Sequence, residues 1–368
     1  MVKGITMLAL LALICGGSPG TADPIRVSVR QVESLPALAP AQLARLANEP
    51  VVAFETEGRL IVLARHRGTA PDLMGTLRGT FRPVGAPDAG FWALAFEIAA
   101  LDRAILDIIV TADGRPLGYV QFRGRRVAPG PQAALRAGSV KSRSFSGRQS
   151  GLTRRLFIYR PDRWPAERLL VVLDVSDASS SMLRRIDQLV AEGRIGPVAV
   201  VGVTPAPAEN PAAASALRLQ EMWAGENPAI YRAFEQFVFA DLLPAFAAEL
   251  GIAEPGQVAV VGASASAGWV LDQATRHGGS AHTWGAFAVP DGPLGAPPGP
   301  ASGTIFMGGG TFDAEYLART QAICGAIRRG GGHCHFATVH SGHSQGTWDE
   351  LTAELLIEWE QTGTARGH

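Results

Sequence analysis

The sequence has few cysteines and no net charge. Only three of its 368 residues are cysteine, and 33 basic residues balance 33 acidic ones. Zero net charge gives no global basic field for binding nucleic acid and no acidic tail typical of disorder. Beyond the N-terminus, apolar runs long enough to span a bilayer are also missing, and there is no internal repeat. With 47% hydrophobic residues, the chain can bury a core of domain size.

The first 22 residues have the pattern of a signal peptide. Lys3 precedes an apolar stretch from Ile5 to Cys15, and Gly20-Thr21-Ala22 has the small-x-small form that signal peptidase accepts. We therefore expect a periplasmic or secreted protein whose mature form has no integral membrane segment. The alternative is an N-terminal core helix.

Two cysteines remain after removal of the signal peptide, Cys324 and Cys334. In an oxidising compartment they can form one disulfide. The alternative is two separate buried thiols, because free cysteine is among the most buried residue types.

The N-terminal third of the chain is predicted to be mostly β. Apolar or alternating runs occupy 59–68, 91–100, 105–114 and 117–124, and Asp113-Gly114-Arg115-Pro116 predicts a turn between the last two. Short strands separated by Gly and Pro favour a smaller β-sandwich of immunoglobulin-like type over residues 25–126. Residues 127–151 are rich in Gly, Ser, Pro and Arg, and we predict a linker there.

From residue 152 to 361 the pattern changes to alternating strands and helices. Near-continuous apolar strands separated by helices predict an α/β fold with a mostly parallel sheet covered on both faces. The predicted strands are 153–161, 168–175, 196–205, 257–262, 283–290, 303–309 and 333–340. The predicted helices are 181–192, 228–250, 267–277, 314–329 and 347–360.

A turn of small residues joins one of these strands to a helix. Gly262-Ala263-Ser264-Ala265-Ser266 fits the G-x-S-x-G pattern except that Ser266 replaces the second Gly. Such a turn lifts the hydroxyl of Ser264 above the sheet, and the helix N-terminus offers N–H groups to a developing oxyanion. The alternative is a plain Gly/Ser-rich turn, which can hold a phosphate.

An activated serine needs a base, and the base needs an orienting acid. In this fold we expect the three residues in the chain order Ser, acid, His, each after a strand. Asp313 follows an apolar strand and a glycine run, and His343 lies in a Ser-Gly-His loop before the last helix. Asp291 is the rival acid, and His340 is expected to be structural. The alternative role for Asp313 is a helix N-cap.

The region from about Arg143 to Trp359 resembles the esterase group of α/β hydrolases that includes enterochelin esterases, S-formylglutathione hydrolases and mycolyltransferases. The similar segments are RRLFIYRP, LLVVLDV, FADLLPAFAAELGI, VVGASASAG, GGGTFD and SGHSQGTWDEL. A β-sandwich ahead of the hydrolase domain is also the enterochelin-esterase arrangement. Three residues depart from the group's pattern: Val175 and Ser266 replace glycines, and Ser344 replaces an aspartate that often follows the histidine.

The pattern and the resemblance together imply an exported serine esterase that uses Ser264, His343 and Asp313. The backbone amides of Ala265 and of Val175 or Ser176 would form the oxyanion hole. The expected substrate is a small-molecule ester, and the reaction requires no cofactor or metal. The alternatives are an acyltransferase with the same triad and a non-catalytic binding protein that keeps the fold.

Two further groups of residues have ordinary explanations. His333 and His335 share one strand face at a spacing that metal ligands use, but no matching Asp or Cys set accompanies them. Four arginines could line a site for an acidic substrate, but a solvated linker face accounts for them as well. They are Arg143, Arg148, Arg154 and Arg155.

Overall fold

The structure is a computed structural model of the chain. It describes residues 28–86, 89–130, 134–163, 165–175, 181–207, 210–252, 254–276, 283–291 and 303–364. The predicted signal peptide and Ser176 lie outside the described residues. Within those ranges, no helix is long and apolar enough to cross a membrane.

Two antiparallel sheets form the N-terminal part. One sheet has the order β1-β6-β3-β2, with β5 paired to β6, and the other has the order β4-β7-β8. The strands are β1 (Val29–Val32), β2 (Val51–Thr56), β3 (Arg59–Arg65), β4 (Asp72–Met74), β5 (Arg82–Pro83), β6 (Phe91–Ile98), β7 (Ile105–Ala112) and β8 (Arg115–Arg123). A short helix, α1 (Pro40–Ala44), continues as a 3-10 turn over Arg45–Ala47.

Alternation of apolar residues explains how these two sheets pack. Val62 and Phe96 from the first sheet share one buried cluster with Ile108 and Phe122 from the second. The other face of the first sheet is covered by the segment around Leu46. Face-to-face packing of two sheets is the arrangement of a sandwich; its immunoglobulin-like type stays a prediction.

An eight-stranded sheet forms the rest of the chain, in the order β16-β15-β14-β13-β11-β12-β10-β9. β9 and β10 run antiparallel, and β11 to β16 are parallel to one another. The strands are β9 (Gly138–Ser146), β10 (Thr153–Pro161), β11 (Arg168–Leu173), β12 (Val198–Val203), β13 (Val258–Ala263), β14 (Thr283–Phe287), β15 (Thr304–Gly310) and β16 (His333–Val339). This mostly parallel sheet confirms the predicted α/β class.

Helices cover both faces of this sheet, because its parallel strands are apolar on both sides. Phe234, Phe246 and Trp269 lie in the buried cluster on one face, and Leu183 and Leu355 lie in that on the other. The helices are α2 (Ser181–Ala191), α3 (Pro211–Met222), α4 (Pro228–Gln236), α5 (Leu243–Leu250), α6 (Ala265–Arg276), α7 (Ala314–Arg329) and α8 (Gln345–Thr364).

The structure corrects two of the predicted elements. Residues 138–146, predicted as part of a linker, form β9, which pairs with β10 along its whole length. β9 is a polar edge strand that is mostly exposed, so its composition resembles that of a linker. The single helix predicted over 228–250 is interrupted by a π-helical turn over Phe237–Leu242.

Cys324 and Cys334 form a disulfide. Cys324 lies late in α7 and Cys334 is the second residue of β16, with their Cα atoms 5.6 Å apart. The bridge therefore links α7 to the strand that leads toward His343. Of the two alternatives that the sequence leaves open, the structure contains the disulfide and not two separate thiols.

Candidate active site

Ser264 occupies a strained turn between β13 and α6. Its φ is +57°, in the left-handed region that non-glycine residues seldom adopt. The amide of Ser264 donates to the carbonyl of Phe287 at the end of β14, at 2.9 Å. Such a turn at the carboxyl end of a central parallel strand is the conformation that the G-x-S-x-G pattern predicts.

The second serine of the motif is used to close the turn. Ser266 Oγ accepts from the amide of Ala263 at 3.0 Å and donates to its carbonyl at 2.9 Å, and Ser266 is fully buried. A Cβ on Gly262 would lie 2.5 Å from the carbonyl oxygen of Ser266, so a larger residue cannot replace this glycine. Of the two serines, Ser264 is the residue that is partly exposed.

Asp313 and His343 lie together at the same edge of the sheet. Asp313 follows β15, His343 follows β16, and His343 Nδ1 is 2.7 Å from Asp313 Oδ2. Because a carboxylate only accepts hydrogen bonds, Nδ1 carries the proton and Nε2 is left as the basic nitrogen. Asp313 stands at the N-cap of α7, but its side chain makes no capping hydrogen bond. Its carboxylate therefore serves His343 rather than the helix.

Two aromatic rings fix the orientation of the His343 imidazole. The Tyr316 ring centroid is 4.5 Å from that of His343, and the Trp348 ring meets the imidazole edge-on at 5.0 Å. Tyr316 was not predicted from the sequence. It lies three residues after Asp313, and residues at this spacing on a helix are neighbours on its surface, so the spacing could have indicated Tyr316.

Ser264 opens onto a cavity of about 150 Å³. Met182, Phe287 and Trp348 give it apolar surface, and Trp348 contacts both this cavity and His343. An ion pair forms a polar part of the wall, because Arg218 Nη2 is 2.8 Å from Asp174 Oδ2. The sequence pattern did not identify this pair, since α3, which carries Arg218, was not predicted.

The predicted oxyanion donors differ in their environments. Ala265 is the first residue of α6, and its amide has no hydrogen-bond partner among the described residues. The prediction for Val175 is wrong in this structure, because its amide donates to the carbonyl of Val203 at 3.0 Å. A Cβ on Gly202 would lie 3.0 Å from Val175 Cβ, so the valine side chain packs over β12. Ser176 is outside the described residues.

The remaining candidate residues are not part of this arrangement. Asp291 is mostly exposed and pairs with Arg319. His333 and His335 are exposed on β16, and no group of three His, Cys, Asp or Glu in the described parts of the chain could hold a metal ion. His340 takes no part in the Asp313–His343 hydrogen bond, and its ring nitrogens lie 2.8 Å from the carbonyl oxygen of Ala99 and 2.9 Å from Thr311 Oγ1.

Two of the four arginines in the predicted basic cluster are neutralised. Arg154 forms a buried ion pair with Glu221, and Arg143 Nη2 is 2.9 Å from Glu249 Oε2. These contacts tie β9 and β10 to neighbouring helices. They leave the cluster poorly suited to an acidic substrate.

No protein-family model and no curated protein match the chain. Solved structures do match it. The enterochelin esterase of Shigella flexneri superposes with a TM-score of 0.65 at 12% identity, covering 89% of this chain and 99% of that one. The ferric enterobactin esterase of Salmonella typhimurium gives a TM-score of 0.62 at 12% identity, covering 87% of this chain and 99% of that one. The chain therefore has the same fold as these two esterase structures.

Proposed function

We propose that the chain is a serine hydrolase that cleaves carboxylic esters through an acyl-enzyme. The observation that carries this proposal is the left-handed Ser264 at the strand-to-helix turn, at the same edge of the sheet as the His343–Asp313 hydrogen bond. The esterase fold of the neighbouring structures supports the reaction class.

In the proposed reaction, Ser264 Oγ attacks the ester carbonyl while His343 Nε2 takes its proton. Asp313 holds the protonated Nδ1 and stabilises the imidazolium. The tetrahedral oxyanion accepts from the Ala265 amide, with Ser176 as the predicted second donor. His343 then protonates the departing alcohol, and a water molecule activated by His343 releases the acid and regenerates Ser264.

The Shigella flexneri neighbour was solved in the presence of enterobactin. On this likeness a cyclic or linear ester of that kind is one candidate substrate, beside acylated sugars and synthetic polyesters. The cavity of about 150 Å³ beside Ser264 suits only a small part of such a molecule, so the rest would lie outside it.

We also propose that the protein is exported and that residues 25–126 form an immunoglobulin-like domain ahead of a catalytic domain over 152–361. The Cys324–Cys334 disulfide supports export, because such bridges persist in oxidising compartments.

The test compares three variants in ester turnover. We expect Ser264→Ala to lower kcat by at least about 10³-fold and Asp313→Asn by about 10³–10⁴-fold, because each removes one member of a unit that acts together. Asp291→Asn is the matched control for the acid, and it should leave kcat within about twofold of wild type. An equal or larger loss with Asp291→Asn would transfer the acid to the earlier loop.

A further inference from the structure

The N-terminal part of the chain contacts the loop that carries His343. The amide of Ile105, at the start of β7, donates to the carbonyl of His340 at 2.9 Å, and Ile105 forms a parallel bridge with Ser341. The carboxylate of Asp107 accepts from the amide of Gly346 at 2.9 Å. The second N-terminal sheet is therefore bonded to both ends of the loop that holds His343.

The loop leaves no room between itself and this sheet. A Cβ on Gly342 would overlap the side chain of Thr76, and a Cβ on Gly346 would overlap that of Ile105. Close packing of this kind transmits displacement, because a packed interior does not deform smoothly. A shift of the N-terminal sheet would move the segment on either side of His343.

The His340 side chain connects three segments: its own loop after β16, the segment after β6 that contains Ala99, and the loop after β15 that contains Thr311. Its Nε2 is 2.8 Å from the carbonyl oxygen of Ala99, just after β6, and its Nδ1 is 2.9 Å from Thr311 Oγ1. A carbonyl only accepts, so Nε2 carries a proton and donates to Ala99. In the neutral ring, Nδ1 then accepts from the Thr311 hydroxyl.

The two loops that His340 joins are those that bring Asp313 and His343 together. Thr311 lies two residues before Asp313, and His340 lies three residues before His343. The ring of Phe312 packs on His340 with centroids 4.6 Å apart and also contacts the buried cluster of the N-terminal sheets. His340 therefore sits where the relative position of the acid and the base is determined.

We propose that His340 is a positioning residue, and that through its bond to Ala99 the N-terminal part of the chain holds the acid and histidine loops in register. The proposal rests on the proposed function, in which the Asp313–His343 pair activates Ser264. It assigns the N-terminal part a role in catalysis that does not require contact with substrate.

The experiment uses the full-length protein and a p-nitrophenyl ester. His340→Ala is expected to lower kcat by about 10–100-fold with KM within about twofold of wild type, because misplaced catalytic groups slow the chemical step and not binding. The matched control is His333→Ala, an exposed histidine at the start of β16, the strand that ends just before His340, with kinetics expected to equal wild type.

Two conservative variants separate the two bonds of His340. A Gln side chain reaches as far as Nε2 and can donate to Ala99, so His340→Gln should recover most of the lost kcat. An Asn side chain reaches only the Nδ1 position and can accept from Thr311, so His340→Asn should stay slow. If His340→Ala does not fold, the kcat values of His340→Gln and His340→Asn still test whether His340 is a positioning residue.

Equal kcat values for His340→Gln and His340→Asn would overturn the role of the Ala99 bond. A kcat for folded His340→Ala within about twofold of wild type, or a rise in KM with kcat unchanged, would overturn positioning by His340 while leaving the esterase proposal intact. A wild-type protein that neither hydrolyses esters nor reacts with a fluorophosphonate would instead refute the proposed function itself.

Discussion

The left-handed backbone at Ser264 predicts that the serine residue itself is held at a cost in stability. A non-glycine residue pays about 1–2 kcal/mol in this conformation, whereas glycine does not. Glycine in turn loses about 0.5–1 kcal/mol more backbone entropy than alanine on folding. Ser264→Gly should therefore be more stable than Ser264→Ala by about 0.5–1 kcal/mol. Both variants lack the hydroxyl, so its loss cancels in the comparison.

Urea unfolding of the two variants measures this difference, provided that the slope of unfolding free energy against urea stays constant. The matched control is Ala322→Gly at an exposed position inside α7, where the same change should destabilise by about 1 kcal/mol. If glycine in place of alanine raises the free energy of unfolding at position 264 and lowers it at position 322, the backbone at residue 264 is strained. If Ser264→Ala proves as stable as Ser264→Gly, the strained turn is refuted.

Two other predictions concern stability. Unreduced protein treated with an alkylating agent should show neither Cys324 nor Cys334 modified in mass spectra, and modification of both would contradict the bridge. Replacing both cysteines by alanine should lower the free energy of unfolding by about 2–3 kcal/mol for so short a loop. Burial raises the pKa of Asp349 from its ordinary value of 3.8 to about 7 in the folded protein. Protonation of Asp349 therefore stabilises the fold most below pH 3.8, and this stabilisation is lost as pH rises from 3.8 through about 7. Between those pH values the free energy of unfolding of wild type should fall relative to that of Asp349→Asn by up to about 1.4 kcal/mol per pH unit. The same pH dependence of unfolding free energy in both proteins would contradict this.

Much of the hydrolase fold could be predicted from the sequence because its strands are buried on both faces. β10, over Thr153–Pro161, and α7, over Ala314–Arg329, have the predicted bounds. β9 could not be predicted in the same way, since a polar edge strand gains its stability from hydrogen bonds to β10 rather than from apolar burial. α3 was missed as well, and it delivers Arg218 to the cavity.

Within the candidate site, the chain order of Ser264, Asp313 and His343, each after a strand, predicted them as a triad, and the structure places His343 within hydrogen-bond distance of Asp313. The details that depend on long-range contacts were not accessible. The amide of Val175 is bonded to Val203 on a neighbouring strand, and His340 is bonded to Ala99, far away in the chain. No local pattern specifies either contact, because each depends on how separate elements pack.

If Ser264 is the nucleophile, a fluorophosphonate probe should react with it in the folded protein. Ser264 is partly exposed, whereas the hydroxyl of Ser266 is buried and bonded to Ala263. We expect peptide mapping to find the probe on Ser264 and Ser264→Ala to remain unlabelled. Labelling of Ser266, or no labelling of folded wild-type protein, would contradict the assignment of Ser264 as the nucleophile.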